Sequence, residues 1–341
     1  MVAPRVPRGS SVAIVSPCGR RVFWVQHRAE RGRAYLESHG LNVKIMPHAG
    51  EAMAGEEVSA EERAEDLHMA FADPEVSVVL AAIGGDHSAD LLPHLDYDLI
   101  RRHPKVFQGY SDVTVLHWAF LKFAGLCTFH GPALLPELGE FPGVLPYTDR
   151  YLRAAWFGAE PLRPEPAEEW TDEMLDWYQR LDQTRPRHLH RSEGWVTVRE
   201  GLAEGPLIGG CLETISRHLT GSDAWLPLHS ALLFLETSEE GPSPEQVDEY
   251  LEPVAQLGTF ERVSGVMVGR PHGYDEEARQ ALWEVIERRT SKVGVPVLAN
   301  VDLGHTDPML TLPMGVLARL DATKRSLTVT QVATSSPARR G

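Results

Sequence analysis

Over its first 130 residues the sequence alternates short apolar runs with helix-patterned segments, a rhythm that few architectures tolerate. Ser11–Val15 (SVAIV) reads as a buried strand and Val22–Ser38 as a helix that Gly40 ends. Asn42–Met46 is a second strand. Ser59–Phe71 is a helix, with Ser59 and Glu62 in capping-box spacing. Val76–Ile83 (VSVVLAAI) is a third strand, closed by Gly84-Gly85. Lys105–Gly109 is a short fourth strand, followed by a helix from Asp112 to Ala124. Strand and helix alternating at this spacing imply parallel βαβ units.

The second half carries shorter strands in a more mixed pattern. Pro206–Ile208, Ala231–Leu235, Val263–Val268 and Val295–Leu298 read as strands. Cys211–Leu219, Pro244–Leu257 and Glu276–Arg289 read as helices, and Gly315–Leu320 with Leu327–Val332 as a terminal hairpin. Between the halves, residues 136–195 are rich in proline and hold Trp170, Trp177 and Trp195. Eight acids face two arginines from Glu160 to Asp182, which reads as a solvated connector or as a functional insertion.

The expected fold is therefore α/β in two parts. A parallel-sheet, Rossmann-like domain spans 11–150, and a smaller α/β domain with mixed, barrel-like strands spans 201–333. A linker and Trp-bearing acidic insertion fills 151–200. Flexible ends are expected at 1–10 and 334–341.

Charge and cysteine usage narrow the function. With 48 acids against 33 bases the net charge is −15, so no basic face is expected for nucleic acid. The three cysteines lie in no CxxC motif, which argues against a disulfide framework or a structural zinc. No run of eighteen apolar residues is present and no apolar stretch follows the N-terminal arginines. The expectations are no membrane span, no export signal and a cytoplasmic setting. GxGxxG is absent, so Gly84-Gly85 is no dinucleotide fingerprint.

Three polar residues each follow a strand. Ser111 lies in GYSDVT, between a strand end and a helix start, like the serine of a nucleophile elbow whose second glycine is replaced by Val113. It also reads as a simple N-cap. Glu236 ends the apolar run LFLE and reads as a solvated strand end or as the orienter of an imidazole. His305, one of fifteen histidines, sits in a short loop after a strand and has the pKa range of a general base. A backbone N–H at the Gly84-Gly85 turn and that of Asp112 would make two halves of an oxyanion hole, or the glycines merely form a tight turn. Nucleophile, base and orienter together are what acyl transfer needs.

Six segments over roughly residues 10–332 carry a resemblance: IGGDHSADLLPHLDYD, GYSDVTVLHWAF, IGGCLETI, LFLETSEEGPSPEQV, GVMVGRP and GHTDPMLTLPMG. They are similar to the LD-carboxypeptidase family of serine peptidases, nearest its microcin C immunity branch. The resemblance implies a Ser111–Glu236–His305 triad on a two-domain scaffold, an oxyanion hole from the N–H groups of Gly85 and Asp112, and a homodimer needing no metal or other cofactor. It implies a small peptide or peptidyl-nucleotide substrate, with Trp177 or Trp170 stacking on an adenine. Cys211 falls where that branch is expected to place Asn. Arg270 would suit a substrate carboxylate, as a murein tetrapeptide would present in the alternative activity of cell-wall recycling, and reads equally as one side of a structural salt bridge.

Overall fold

The computed structural model describes residues 1–19, 25–50 and 58–336. The first three residues of the helix expected at Val22–Ser38 and the last five of the tail lie outside the described residues. Four strands alternate with helices as expected, β1 (Ser11–Val15), β2 (Asn42–Ile45), β3 (Val76–Ala81) and β4 (Val106–Gly109), and a fifth that was not expected follows, β5 (Thr128–His130). They run parallel in the order β2-β1-β3-β4-β5. Two helices cross between them at Gln26–Ser38 and Ala60–Ala72. The second starts on a complete capping box: Ser59 accepts from the Glu62 N–H, and the Glu62 carboxylate accepts from the Ser59 N–H.

A two-stranded ribbon follows, β6 (Glu169–Trp170) against β7 (His190–Arg191). The second sheet is built from β8 (Val196–Arg199), β9 (Leu202–Cys211), β10 (Leu232–Glu236), β11 (Gly265–Gly269) and β12 (Val297–Val301). It ends in the hairpin of β14 (Leu317–Asp321) and β15 (Ser326–Val329). Its centre, β9-β10-β11-β12, is parallel, while β14 and β8 flank it antiparallel. This is the mixed sheet expected of the second half. Helices Pro244–Gln256 and Glu276–Thr290 pack together over it, the first with a Ser243–Gln246 capping box and proline at its first turn.

The two sheets are not independent. Strand β13 (Leu312–Met314), from the second half, completes the first sheet by pairing antiparallel with β5. In the helix that follows Ser111, the indole of Trp118 donates to Gly209 O at 2.9 Å, and Cys211 N–H donates to Thr114 Oγ1 at 3.1 Å. Val115 and Trp118 of the first half share a buried cluster with Leu212 and Leu235 of the second. Burying this apolar surface holds the halves in register.

Three expectations need correction. Residues 1–10 and 334–336 are not frayed. Ala3 and Val6 are buried, and the two ends exchange hydrogen bonds, Arg5 N–H to Ser335 O and Ser335 N–H to Ala3 O. Satisfied backbone and buried side chains hold them. The boundary drawn at 150 cuts a helix, Pro146–Phe157, whose first proline is at a position helices accept. The acidic stretch is no solvated linker either. Thr171 and Asp307 exchange both backbone hydrogen bonds, and Trp195 is buried with its indole N–H on Asp302 Oδ2 at 2.8 Å.

Asp302 is the post to which this segment is tied. Its Oδ2 also accepts from Ala167 N–H at 3.0 Å, and its Oδ1 accepts from Arg270 Nη2 at 2.6 Å. Both charges of that pair are buried. Asp302→Ala would leave the Arg270 guanidinium in the interior without a counter-charge. A loss of ~3–5 kcal/mol is expected, read from the urea midpoint, with Asp302→Asn losing less.

Candidate active site

The carboxyl end of β4 delivers Ser111. Tyr110 is extended, and Ser111 turns to φ +63 before a short helical turn begins. A non-glycine residue in this left-handed region stores ~1–3 kcal/mol of strain, the signature of a nucleophile elbow. His117, one helical turn on, donates from Nε2 to Gly109 O at 2.9 Å and steadies the strand end. Burial keeps this imidazole neutral, its pKa lowered to about 4. The Gly84-Gly85 turn after β3 closes on the serine from the side. A Cβ at Gly84 would lie 2.7 Å from Ser111 Cβ and 2.9 Å from its Oγ, so no other residue fits there. Asp112 turns its side chain inward, where Oδ2 accepts from Ser88 N–H at 2.9 Å.

The second sheet delivers the other two members. Glu236 ends β10, and His305 sits in the loop after β12, with Nδ1 at 2.7 Å from Glu236 Oε2. Gly304 makes that approach possible. Its φ is +93, and a Cβ there would fall 2.6 Å from the same carboxylate oxygen. A carboxylate can only accept, so Nδ1 carries the proton. Nε2 faces Glu239 Oε2 at 3.2 Å. The ring also packs against Tyr110, with centroids 4.9 Å apart. Burial alone would lower the imidazole's pKa. Glu236, then Glu239 and Glu213, override it and raise the value to about 9.

Ser111, Gly85, His305, Trp177 and Cys211 line one cavity of about 280 Å³. One wall is aromatic and basic. The Arg28 guanidinium lies 4.2 Å from the Trp177 ring centroid and is anchored from below by Leu135 O and Asp182. Trp177 is half-buried and faces the cavity. The other wall is acidic: Glu213, Glu239 and Glu240, with Arg217. Cys211 is buried, and its thiol donates to Glu213 Oε2 at 3.4 Å. Burial and the neighbouring carboxylates push the thiol well above its ordinary pKa, so it does not act as a thiolate.

Trp170 and Arg270 do not belong to this cavity. Arg270 is buried, pairs with Asp302 and lies under the Trp170 ring at 5.0 Å. Trp170 lines a separate, shallower hollow with His190, Tyr274 and Asn300. Arg270 is part of the scaffold, its charge paired with a buried partner, while Trp170 opens on the other hollow.

Other cavity residues escaped the sequence reading. Glu137 accepts from Tyr110 Oη at 2.8 Å and from Ala133 N–H at 2.7 Å. Burial first, then Asp307, raises its pKa to about 8. Arg187 bridges Glu140 and Asp307. No spacing rule singles these residues out in a proline-rich stretch. Glu239 was visible only as the third residue after Glu236. Among the described residues, no group of three His, Cys, Asp or Glu side chains could hold a metal ion, and no helix is long and apolar enough to cross a membrane.

A strained serine at a parallel-strand end and a carboxylate-bound imidazole opening on one cavity define a serine hydrolase of the α/β class. The chain matches the LD-carboxypeptidase N-terminal domain over residues 12–131 and the LD-carboxypeptidase C-terminal domain over 204–320. It belongs to the LD-carboxypeptidase family and is a peptidase. Among its relatives is a putative carboxypeptidase, YocD, of Bacillus subtilis, 33% identical over 94% of this chain and 96% of that one. The microcin C7 self-immunity protein MccF of Escherichia coli is 29% identical over 97% and 96%. A probable murein peptide carboxypeptidase of B. subtilis is 29% identical over 94% and 92%. In structure, an MccF-like protein of Bacillus anthracis superimposes with a TM-score of 0.87 at 31% identity, covering 97% of this chain and 99% of its own. MccF in complex with aspartyl sulfamoyl adenosine gives 0.88 at 28%, covering 98% and 100%.

Only the unprotonated imidazole can take the serine proton. With His305 raised to about 9, kcat/KM should climb through pH 7 and 8 and reach half its plateau near pH 9. A profile of kcat/KM for an acyl substrate checks this; an unperturbed histidine would place the midpoint near ~6.5.

Proposed function

We propose that the chain is a serine peptidase that hydrolyses the amide joining an aminoacyl or peptidyl group to a nucleotide-like leaving group, and so gives immunity or resistance to antibiotics of the microcin C type. The observation that carries this is the cavity itself. Ser111, the imidazole of the His305–Glu236 pair and an indole, Trp177, held against the Arg28 guanidinium, all line it. An electron-rich ring held flat in this way suits a purine. The sulfamoyl-nucleoside complex of MccF supports the reading.

In the mechanism, His305 Nε2 takes the proton from Ser111 Oγ as the oxygen attacks the acyl carbon. Glu236 holds the imidazole by Nδ1 and stabilises its positive form. The N–H groups of Gly85 and Asp112 take the oxyanion, a role in which one donor is worth ~10²–10³ in rate. The C–N bond breaks as His305 returns the proton to the leaving nitrogen. Water, deprotonated by the same imidazole, then frees the acyl group from Ser111. A homodimer in the cytoplasm completes the reading, on the family resemblance.

The test is a paired hydrolysis assay by mass spectrometry with an aminoacyl sulfamoyl adenosine and a murein tetrapeptide. Cleavage of the adenosine derivative is expected, and its loss in Ser111→Ala. Glu236→Gln should lower kcat by ~10³–10⁴, because the imidazole loses the partner that fixes its tautomer. Trp177→Ala should raise KM for the nucleoside substrate by about 10–100-fold, the worth of one stacked base. Cleavage of the tetrapeptide alone would overturn the proposal in favour of a cell-wall carboxypeptidase, with Arg217 as the cavity cation for its terminal carboxylate.

A further inference from the structure

His305 in the free site is engaged on both sides. Nδ1 is bonded to Glu236, and Nε2, the atom that must receive the serine proton, faces Glu239 Oε2 at 3.2 Å. The Glu239 contact is an ion pair by distance rather than an aligned hydrogen bond, and the two carboxylates together favour the ring with a proton on both nitrogens. The ring is then an imidazolium, which has no lone pair for Ser111. Catalysis requires Glu239 to leave.

The loop that carries Glu239 is arranged for this. It is fixed at Ser238, whose N–H and Oγ both donate to Glu213 Oε1, at 2.9 and 2.8 Å. It then turns tightly, Gly241 N–H donating to Ser238 O. The Glu239 side chain itself is 53% exposed, whereas His305 and Glu236 are buried. One carboxylate is therefore immovable and the other is free to swing on an anchored stem. The groups facing His305 are Glu236 on β10, Glu239 and Glu240 on this loop, and Glu213 after β9. Tyr110 before the nucleophile, a neutral His130 on β5 and Asp307 on its own loop complete them. The nearest cation on that wall, Arg217, donates to Tyr250 Oη at 2.9 Å. A tyrosine hydroxyl leaves the Arg217 charge in place, but no ion pair joins Arg217 to Glu239 in the free site.

We propose that Glu239 is a specificity-determining latch that masks His305 Nε2 in the free site and yields it to a cationic group on the acyl part of the substrate, such as the ammonium of an aminoacyl group. The inference rests on the amide-hydrolysing reading above. An α-ammonium lies one carbon from the scissile carbonyl, so a substrate whose carbonyl meets Ser111 brings the charge to the acidic wall. Binding the correct acyl group and freeing the base become one event. An acylated or otherwise uncharged nitrogen leaves the latch closed, so of the two acyl classes above the aminoacyl one is favoured over the peptidyl one.

The experiment uses wild type, Glu239→Gln and Glu239→Asp with two probes. One is the pair of an aminoacyl sulfamoyl adenosine and its N-acetyl derivative. The other is a neutral fluorophosphonate, scored for labelling of Ser111 against pH. Wild type should prefer the free amine by at least ~10-fold in kcat/KM, the worth of one charged hydrogen bond. Glu239→Gln should bring the ratio near one and move the labelling midpoint down by about one pH unit. Glu239→Asp should restore part of both. An unchanged midpoint together with an unchanged ratio would overturn the latch. If wild type is labelled at Ser111 yet cleaves neither nucleoside, the substrate reading fails instead, and the midpoint alone decides the latch, an unchanged value overturning it.

Discussion

The hydrogen bond between Glu236 and His305 sets the terms for everything around it. A carboxylate in the interior is costly unless it is paired, and this one is paired by an imidazole only because Gly304 lets the loop close to 2.7 Å. The partners come from β10 and the loop after β12, while the serine comes from β4 in the other half. The pair is therefore useful only if the halves cannot slide. The Trp118–Gly209 and Cys211–Thr114 hydrogen bonds, and β13 crossing into the first sheet, supply that rigidity within one or two turns of Ser111. Scaffold and site are one problem here, since sub-ångström placement of a base governs proton transfer.

Strain and charge are concentrated in the same place. Ser111 is held at a left-handed φ, and Gly84 yields the space its side chain occupies. Glu137, Glu213 and Glu239 are among the carboxylates that line the cavity, with Glu236 behind the imidazole, and burial raises Glu137 and Glu236 above the ordinary carboxylate range. Such a site is poised rather than relaxed. Its base is held in the charged form by the negative wall, and substrate chemistry decides when that hold ends.

Much of the fold was legible along the chain. Uniformly apolar runs such as SVAIV and VSVVLAAI announce strands covered on both faces, and capping boxes at Ser59 and Ser243 mark helix starts. Helix Pro146–Phe157 was missed because it opens inside a proline-rich stretch, although its own proline is a first-turn residue. The short strands β5, β8 and β13 were missed because three or four residues carry no period to read. For Arg270 the sequence left two readings open, and the structure takes the salt bridge. A lone arginine after a strand has the chemistry of a carboxylate ligand, and nothing near it in sequence reveals that Asp302 takes its charge.

The sequence by itself determined which chemistry this chain carries. A serine, a glutamate and a histidine each follow a strand, and local pattern together with family motifs nominates them for it. Which residues surround them was decided only by the tertiary structure. Trp177 sits over Arg28 because buried carbonyls and Asp182 hold the guanidinium there, and Glu239 meets His305 because two loops from different strands converge. Contacts of this kind join residues tens to hundreds of positions apart. Their energies depend on burial and on competing partners, quantities that exist only once the chain has folded.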